Sequence, residues 1–155
     1  MRKTLIFALI SLLIIGFIWG NSLVSMERSG EQSSVVAETL QPVVDPNEQV
    51  EGPKFHDFIR KAAHVIEFFA LGMSLAGFAL SLGEYLKQRF VSMPILAVLF
   101  VAVTDEYIQY FTKRGSHIKD VVLDFAGGIV GLGLIWLICY IADRVKKRRS
   151  SHEMC

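Results

Sequence analysis

Val121-Val122-Leu123-Asp124-Phe125-Ala126-Gly127-Gly128-Ile129-Val130-Gly131-Leu132-Gly133-Leu134-Ile135-Trp136-Leu137-Ile138-Cys139-Tyr140-Ile141-Ala142 is an apolar run broken by a single acid. A helix rises 1.5 Å per residue, so about 20 such residues cross the ~30 Å hydrocarbon core of a bilayer. Comparable runs lie at 4–20, 58–82 and 93–112. The chain is therefore expected to be an all-α polytopic membrane protein. Its single domain, 1–155, is a four-transmembrane-helix bundle with helices at 4–20, 58–82, 93–112 and 121–142 and an extracellular loop at 21–57. Composition points the same way. Of 155 residues 52% are hydrophobic and only 20% charged, with mean hydropathy +0.44, whereas soluble domains carry about 25% charged residues. An ordinary cytosolic enzyme is disfavoured.

Sixteen bases against fifteen acids leave a net charge of +1, and no nucleic-acid partner is expected. Placement of the charges is more informative. Nine bases (Arg2, Lys3, Lys87, Arg89, Arg144, Lys146, Lys147, Arg148 and Arg149) fall on one side of the four spans. The other side holds the long loop, with seven acids and two bases, and a short loop carrying Lys113, Arg114 and Lys119. Basic residues near helix ends are retained on the cytoplasmic side, so a multi-pass cell-membrane protein with both termini cytoplasmic is expected. The first span follows Arg2 and Lys3 like a signal, but its exit, Trp19-Gly20-Asn21-Ser22, lacks a small-x-small cleavage pattern. It is read as an anchor. Cys139 in an apolar run and Cys155 at the end form no disulfide framework.

An ionisable group at the centre of a membrane helix costs about 2.5–3.5 kcal/mol on insertion scales, so those within the spans need a reason. Arg60, His64 and Glu67 follow i, i+4, i+7 and share a face of the second helix, with Lys61 alongside. Asp105 and Gln109 are one turn apart near the end of the third, with Glu106 alongside. Asp120 and Asp124 open the fourth, and Gly127 and Gly131 continue their face. With the alternating helix directions, all three groups lie toward the outer side. One layer in the outer leaflet is expected to hold them.

The strings Arg60-Lys61-x-x-His64-x-x-Glu67, Asp105-Glu106-x-x-Gln109-x-Phe111-x-x-Arg114 and Asp120-x-x-x-Asp124-x-x-Gly127-x-x-x-Gly131 resemble the three signature segments of the VanZ-like family. Asn21-Ser22 and Ser29-Gly30-Glu31-Gln32-Ser33-Ser34 are similar to that family's amino-terminal stretch. The resemblance implies a four-helix integral membrane protein of the bacterial cell envelope, associated with altered susceptibility to glycopeptide antibiotics of the teicoplanin type. Two departures stand out: a longer outer loop, and Phe68 where a hydroxyl-bearing aromatic is common.

Three readings of the polar residues stay open. In the structural one, Arg60 or Lys61 pairs with Asp105, Glu106 or Asp124 and holds the helices in register; yet hydrogen bonds between membrane helices average only ~0.6 kcal/mol. In the binding one, Arg60, Lys61, Gln109 and Arg114 receive an anionic group, with membrane lipids, a lipid-linked cell-wall precursor or a glycopeptide as partners. In the enzymatic one, a hydrolase or transferase acts on a lipid-linked phosphate or phospholipid head group, with His64, Glu67, Asp105 and Glu106 as catalytic candidates. Asp120, Asp124, Gly127 and Gly131 are assigned to charge pairing and packing. Gly72, Ala76 and Gly77 are the expected surface facing the Gly127-x-x-x-Gly131 pair. No cofactor or metal is expected: His64 and Glu67 with Asp105 or Asp124 would make an N/O ligand set, but Arg60 and Lys61 beside them repel a cation.

Overall fold

The computed structural model describes residues 1–23, 39, 52–112 and 117–152. Four helices run in order, α1 (Arg2–Leu23), α2 (Gly52–Leu86), α3 (Ser92–Phe111) and α4 (Ile118–His152), and no strand occurs among the described residues. Each contains a segment long and apolar enough to cross a membrane: Arg2–Leu23, Asp57–Leu86, Ser92–Phe111 and Ile118–Arg149. The bundle is all-α, as its apolar runs require, because lipid offers backbone groups no partners and a helix satisfies them internally.

α3 agrees with its apolar run to within a residue, and the other three helices run beyond theirs. Residues 21–23 and 52–57, expected in the outer loop, are helical, and the basic tail is helical through His152. Apolarity marks the length of helix that lies in lipid, whereas helical hydrogen bonding continues wherever residues favour it. Pro53 suits a first turn, whose N–H groups lack intrahelical partners anyway, and Lys and Arg are good helix formers. The remainder of the expected loop, 24–38 and 40–51, lies outside the described residues.

α2 ends in a Schellman-type turn. Lys87 takes the left-handed conformation (φ 53°), and the Gln88 N–H bonds to the Gly83 carbonyl at 3.2 Å. The core is built from all four helices, with Ile18 of α1, Phe68, Leu71 and Leu75 of α2, Val98 and Val101 of α3 and Leu132 of α4 buried together. Phe68 is fully buried, its ring filling the core at the position where the departure from the family pattern lies. Leu5, Phe17, Ile66, Phe100, Val130 and Leu137 point outward. Helices apolar on their outer faces as well as their inner ones suit a lipid surround.

Glycines set the closest approach, between α2 and α4. A Cβ at Gly72 would collide with the Gly128 carbonyl, one at Gly131 with the Phe69 carbonyl, and one at Gly127 would lie 2.9 Å from the Val65 oxygen. Gly72 therefore faces α4 as expected. Gly77 does not: a Cβ there would meet the Phe7 ring of α1 at 2.5–2.7 Å. Five residues turn a helix by about 140° past a full revolution, which carries Gly77 off the α4 face and onto α1.

Candidate functional site

The end of α1, the first half of α2, the last turns of α3 and the start of α4 meet at one end of the bundle. Asp105 is at its centre, fully buried. The Ser22 hydroxyl donates to Asp105 Oδ1 at 2.5 Å, and Gln109 Nε2 donates to Oδ2 at 2.8 Å. The Gln109 bond follows from the i, i+4 spacing; the Ser22 bond crosses between helices. His64 Nδ1 lies 3.7 Å from Asp105 Oδ2 and 3.9 Å from Glu67 Oε2. Asn21 Nδ2 donates to Glu67 Oε1 at 3.0 Å, and Thr112 Oγ1 reaches the Ser22 carbonyl at 3.1 Å. The carboxylates of α2 and α3 thus fasten the end of α1.

Asn21 and Ser22 are site residues that the reading of the spans missed, because they sit at a helix exit where polar residues are ordinary. The one available signal was their place in the stretch similar to the family's amino-terminal segment.

The cations pair within α2, and Lys61 also reaches across to α4. Arg60 Nη2 is 2.6 Å from Asp57 Oδ1, and Lys61 Nζ is 3.1 Å from Asp57 Oδ2 and 3.5 Å from Asp120 Oδ1. Lys61 thus makes a cross-helix ion pair with Asp120 of α4, while among the described residues neither cation pairs with Asp105, Glu106 or Asp124, the partners that the structural reading offered. Asp57 stands three and four residues before the two cations, and helical side chains lean toward the amino terminus, so it is within reach without any tertiary contact.

Glu106 is buried, and its Oε1 accepts the backbone N–H of His117 at the start of α4. A carboxylate there also favours the positive end of the α4 dipole. Asp124 is only 2% exposed. Among the described residues it makes no hydrogen bond or ion pair. One ligand atom each from His64, Asp105 and Asp124 lies within 4.8 Å of the others. Arg60, Lys61, His64, Gln109, Asp120, Leu123 and Asp124 line a cavity of about 20 Å³, room for about one water. Gly127 and Gly131 line no part of it and serve the α2–α4 seam. Arg114 lies outside the described residues.

The arrangement is two-tiered. A rim of half-exposed Arg60, Lys61, Asp57 and Asp120 surrounds a floor of His64 and buried carboxyls. Burying carboxylates costs heavily unless hydrogen-bond donors or a cation offset it; Asp105 has such donors in Ser22 and Gln109.

No curated protein and no solved structure matches the chain. The sequence profile of VanZ/LLP1 matches residues 7–139, a span that begins inside α1 and ends inside α4 and so takes in every helix that builds the polar layer. With that much of the chain matched, and with the described polar residues of the three motif strings brought to one end of the bundle, this four-helix protein belongs to the VanZ/LLP1 family.

Proposed function

We propose that this VanZ-family protein acts at the outer face of the bacterial cell membrane by holding an anionic group of an envelope component on Arg60 and Lys61. The observation that carries the reading is their geometry: one cation meets each oxygen of a single carboxylate, that of Asp57. Two cations converging on two oxygens are already arranged for a carboxylate or phosphate. Asp57, nearly half exposed, is free to swing aside for a ligand. Membrane lipids, a lipid-linked cell-wall precursor or a glycopeptide offer such groups, and occupancy of this cradle would alter susceptibility to teicoplanin-type drugs. A purely structural role accounts for Asp105 and Glu67, which tie down α1, and for the Lys61–Asp120 contact between α2 and α4, but leaves the convergence of two cations on one exposed carboxylate and the buried Asp124 without a task.

The reading places both termini in the cytoplasm, in keeping with the nine basic residues on that side. A cysteine placed at Gly115 should then react with an impermeant thiol reagent in intact cells; labelling only after lysis reverses the orientation. The binding itself is tested by purifying wild type and Arg60→Ala and identifying retained lipids by mass spectrometry. An anionic lipid retained by wild type and lost from the variant supports the proposal, and equal retention refutes it.

A second, enzymatic reading rests on His64, whose Nδ1 lies between Glu67 and Asp105. An imidazole flanked by carboxylates suits general acid–base transfer, and water would be the nucleophile of a hydrolase there, since the Ser22 hydroxyl is committed to Asp105. Release of inorganic phosphate or a head group from polyprenyl or phospholipid substrates by the purified protein would favour this reading over simple binding.

A further inference from the structure

We infer that His64, Asp105 and Asp124 form a binding site for one divalent transition-metal ion, of the Mn²⁺ or Zn²⁺ type, at the floor of the polar layer. Their donor atoms lie within 4.8 Å of one another. An ion bound at about 2.1 Å from each ligand in tetrahedral geometry holds them roughly 3.4 Å apart. The 3.7 Å between His64 Nδ1 and Asp105 Oδ2 is close to that already, so closure of the whole set from within 4.8 Å asks for a shift of about an ångström.

Asp124 supplies the independent reason to expect an ion. It is 2% exposed, lines the cavity, and makes no hydrogen bond or ion pair among the described residues. A buried carboxylate without a partner is expensive, and a cation in the cavity would answer it. With an ion bound, two carboxylates and a neutral imidazole would supply two negative charges, which a divalent ion balances. The donor set, one nitrogen and two oxygens, suits Mn²⁺ or Zn²⁺, and it lacks the thiolates that soft ions prefer.

Asp105 is also oriented as a ligand should be. Ser22 and Gln109 each donate to one of its oxygens, the kind of outer-shell support that fixes a metal-bound carboxylate, and a carboxylate has lone pairs left for an ion. Repulsion by Arg60 and Lys61, which line the same cavity, is offset by their pairing with Asp57 and, for Lys61, with Asp120. Three protein ligands leave a coordination position open toward the cavity, where about 20 Å³ admits a water.

The test uses the full chain in detergent, stripped with EDTA and then titrated with MnCl₂ and with ZnCl₂ by calorimetry, with thermal unfolding read in parallel. Wild type should bind one ion per chain and unfold at higher temperature with it. Asp124→Asn and His64→Gln should each lose at least about tenfold in affinity, the lower end of what supporting changes at metal sites cost. Arg60→Ala should keep wild-type affinity or exceed it. Absence of saturable binding by stripped wild type overturns the inference whether or not the variants fold. Binding undiminished in both Asp124→Asn and His64→Gln also overturns it, because the ion then sits elsewhere, for instance on the acids of 21–57. The inference does not require an anionic ligand on Arg60 and Lys61, and a chain that binds Mn²⁺ but retains no anionic lipid would separate the two.

Discussion

Replacing Gly72 with Ala should destabilise the protein although it adds a single methyl group and a better helix former. The new Cβ would overlap the carbonyl of Gly128, with its carbon at 2.9 Å and its Cα at 3.1 Å. Ordinary carbon contacts fall at about 3.5–4.0 Å, and backbone, unlike the end of a flexible side chain, has no rotamer to escape into. α4 must move away from α2 by about an ångström, loosening Gly131 on the Phe69 carbonyl and Gly127 on Val65. Overpacking of this kind costs about 1–3 kcal/mol, and for a chain of this size each kcal/mol lowers the unfolding temperature by about 2–4 °C. Gly133→Ala is the matched control. A Cβ at Gly133 has nothing within 4 Å, so only helix propensity operates and the change should stabilise by up to about 1 kcal/mol. Because Asp124 precedes Gly128 by about one turn of α4, the same displacement carries it away from His64. Thermal unfolding in detergent, followed by circular dichroism, checks the sign difference. If Gly72→Ala proves as stable as Gly133→Ala, the α2–α4 seam does not have the closeness described and the placement of Asp124 falls with it.

Ser22→Ala removes a buried donor from Asp105 and should cost about 1–3 kcal/mol; a double-mutant cycle with Asp105→Asn should show coupling, and additive losses would deny the contact. Lys87→Gly relieves a left-handed residue (φ 53°) at the end of α2 and should stabilise by about 1 kcal/mol, less what the lysine charge contributes at the helix carboxyl end; an unchanged unfolding temperature would count against the turn. His64→Gln and Glu106→Gln keep most of the volume while removing, respectively, a group able to exchange protons near neutral pH and a buried carboxylate. In a host that gains glycopeptide protection from the protein, at least one of these variants should match wild type in abundance and heat stability yet lose protection, and full protection in both would leave only the cations of the rim as functional groups.

The number and class of the helices follow from the sequence alone, because a bilayer requires each crossing segment to satisfy its own backbone and to be apolar over about 20 residues. Contacts within one helix are legible on the same ground: fixed pitch puts Gln109 one turn after Asp105 and Asp57 one turn before Arg60 and Lys61, and all three pairs are in contact. Asp57 falls in the expected loop 21–57, because the apolar run begins only at Phe58, and its place on α2 is visible in the structure alone. What lies across helices is another matter. That Ser22 and Asn21 of α1 reach Asp105 and Glu67, that Gly77 meets Phe7 rather than α4, and that Asp124 comes beside His64 without an Arg60 partner were decided by the tertiary structure. Those contacts depend on how each helix is rotated about its axis and how closely it approaches its neighbours. That is set jointly by side chains and glycines scattered over four helices, a quantity that no single helix's periodicity contains.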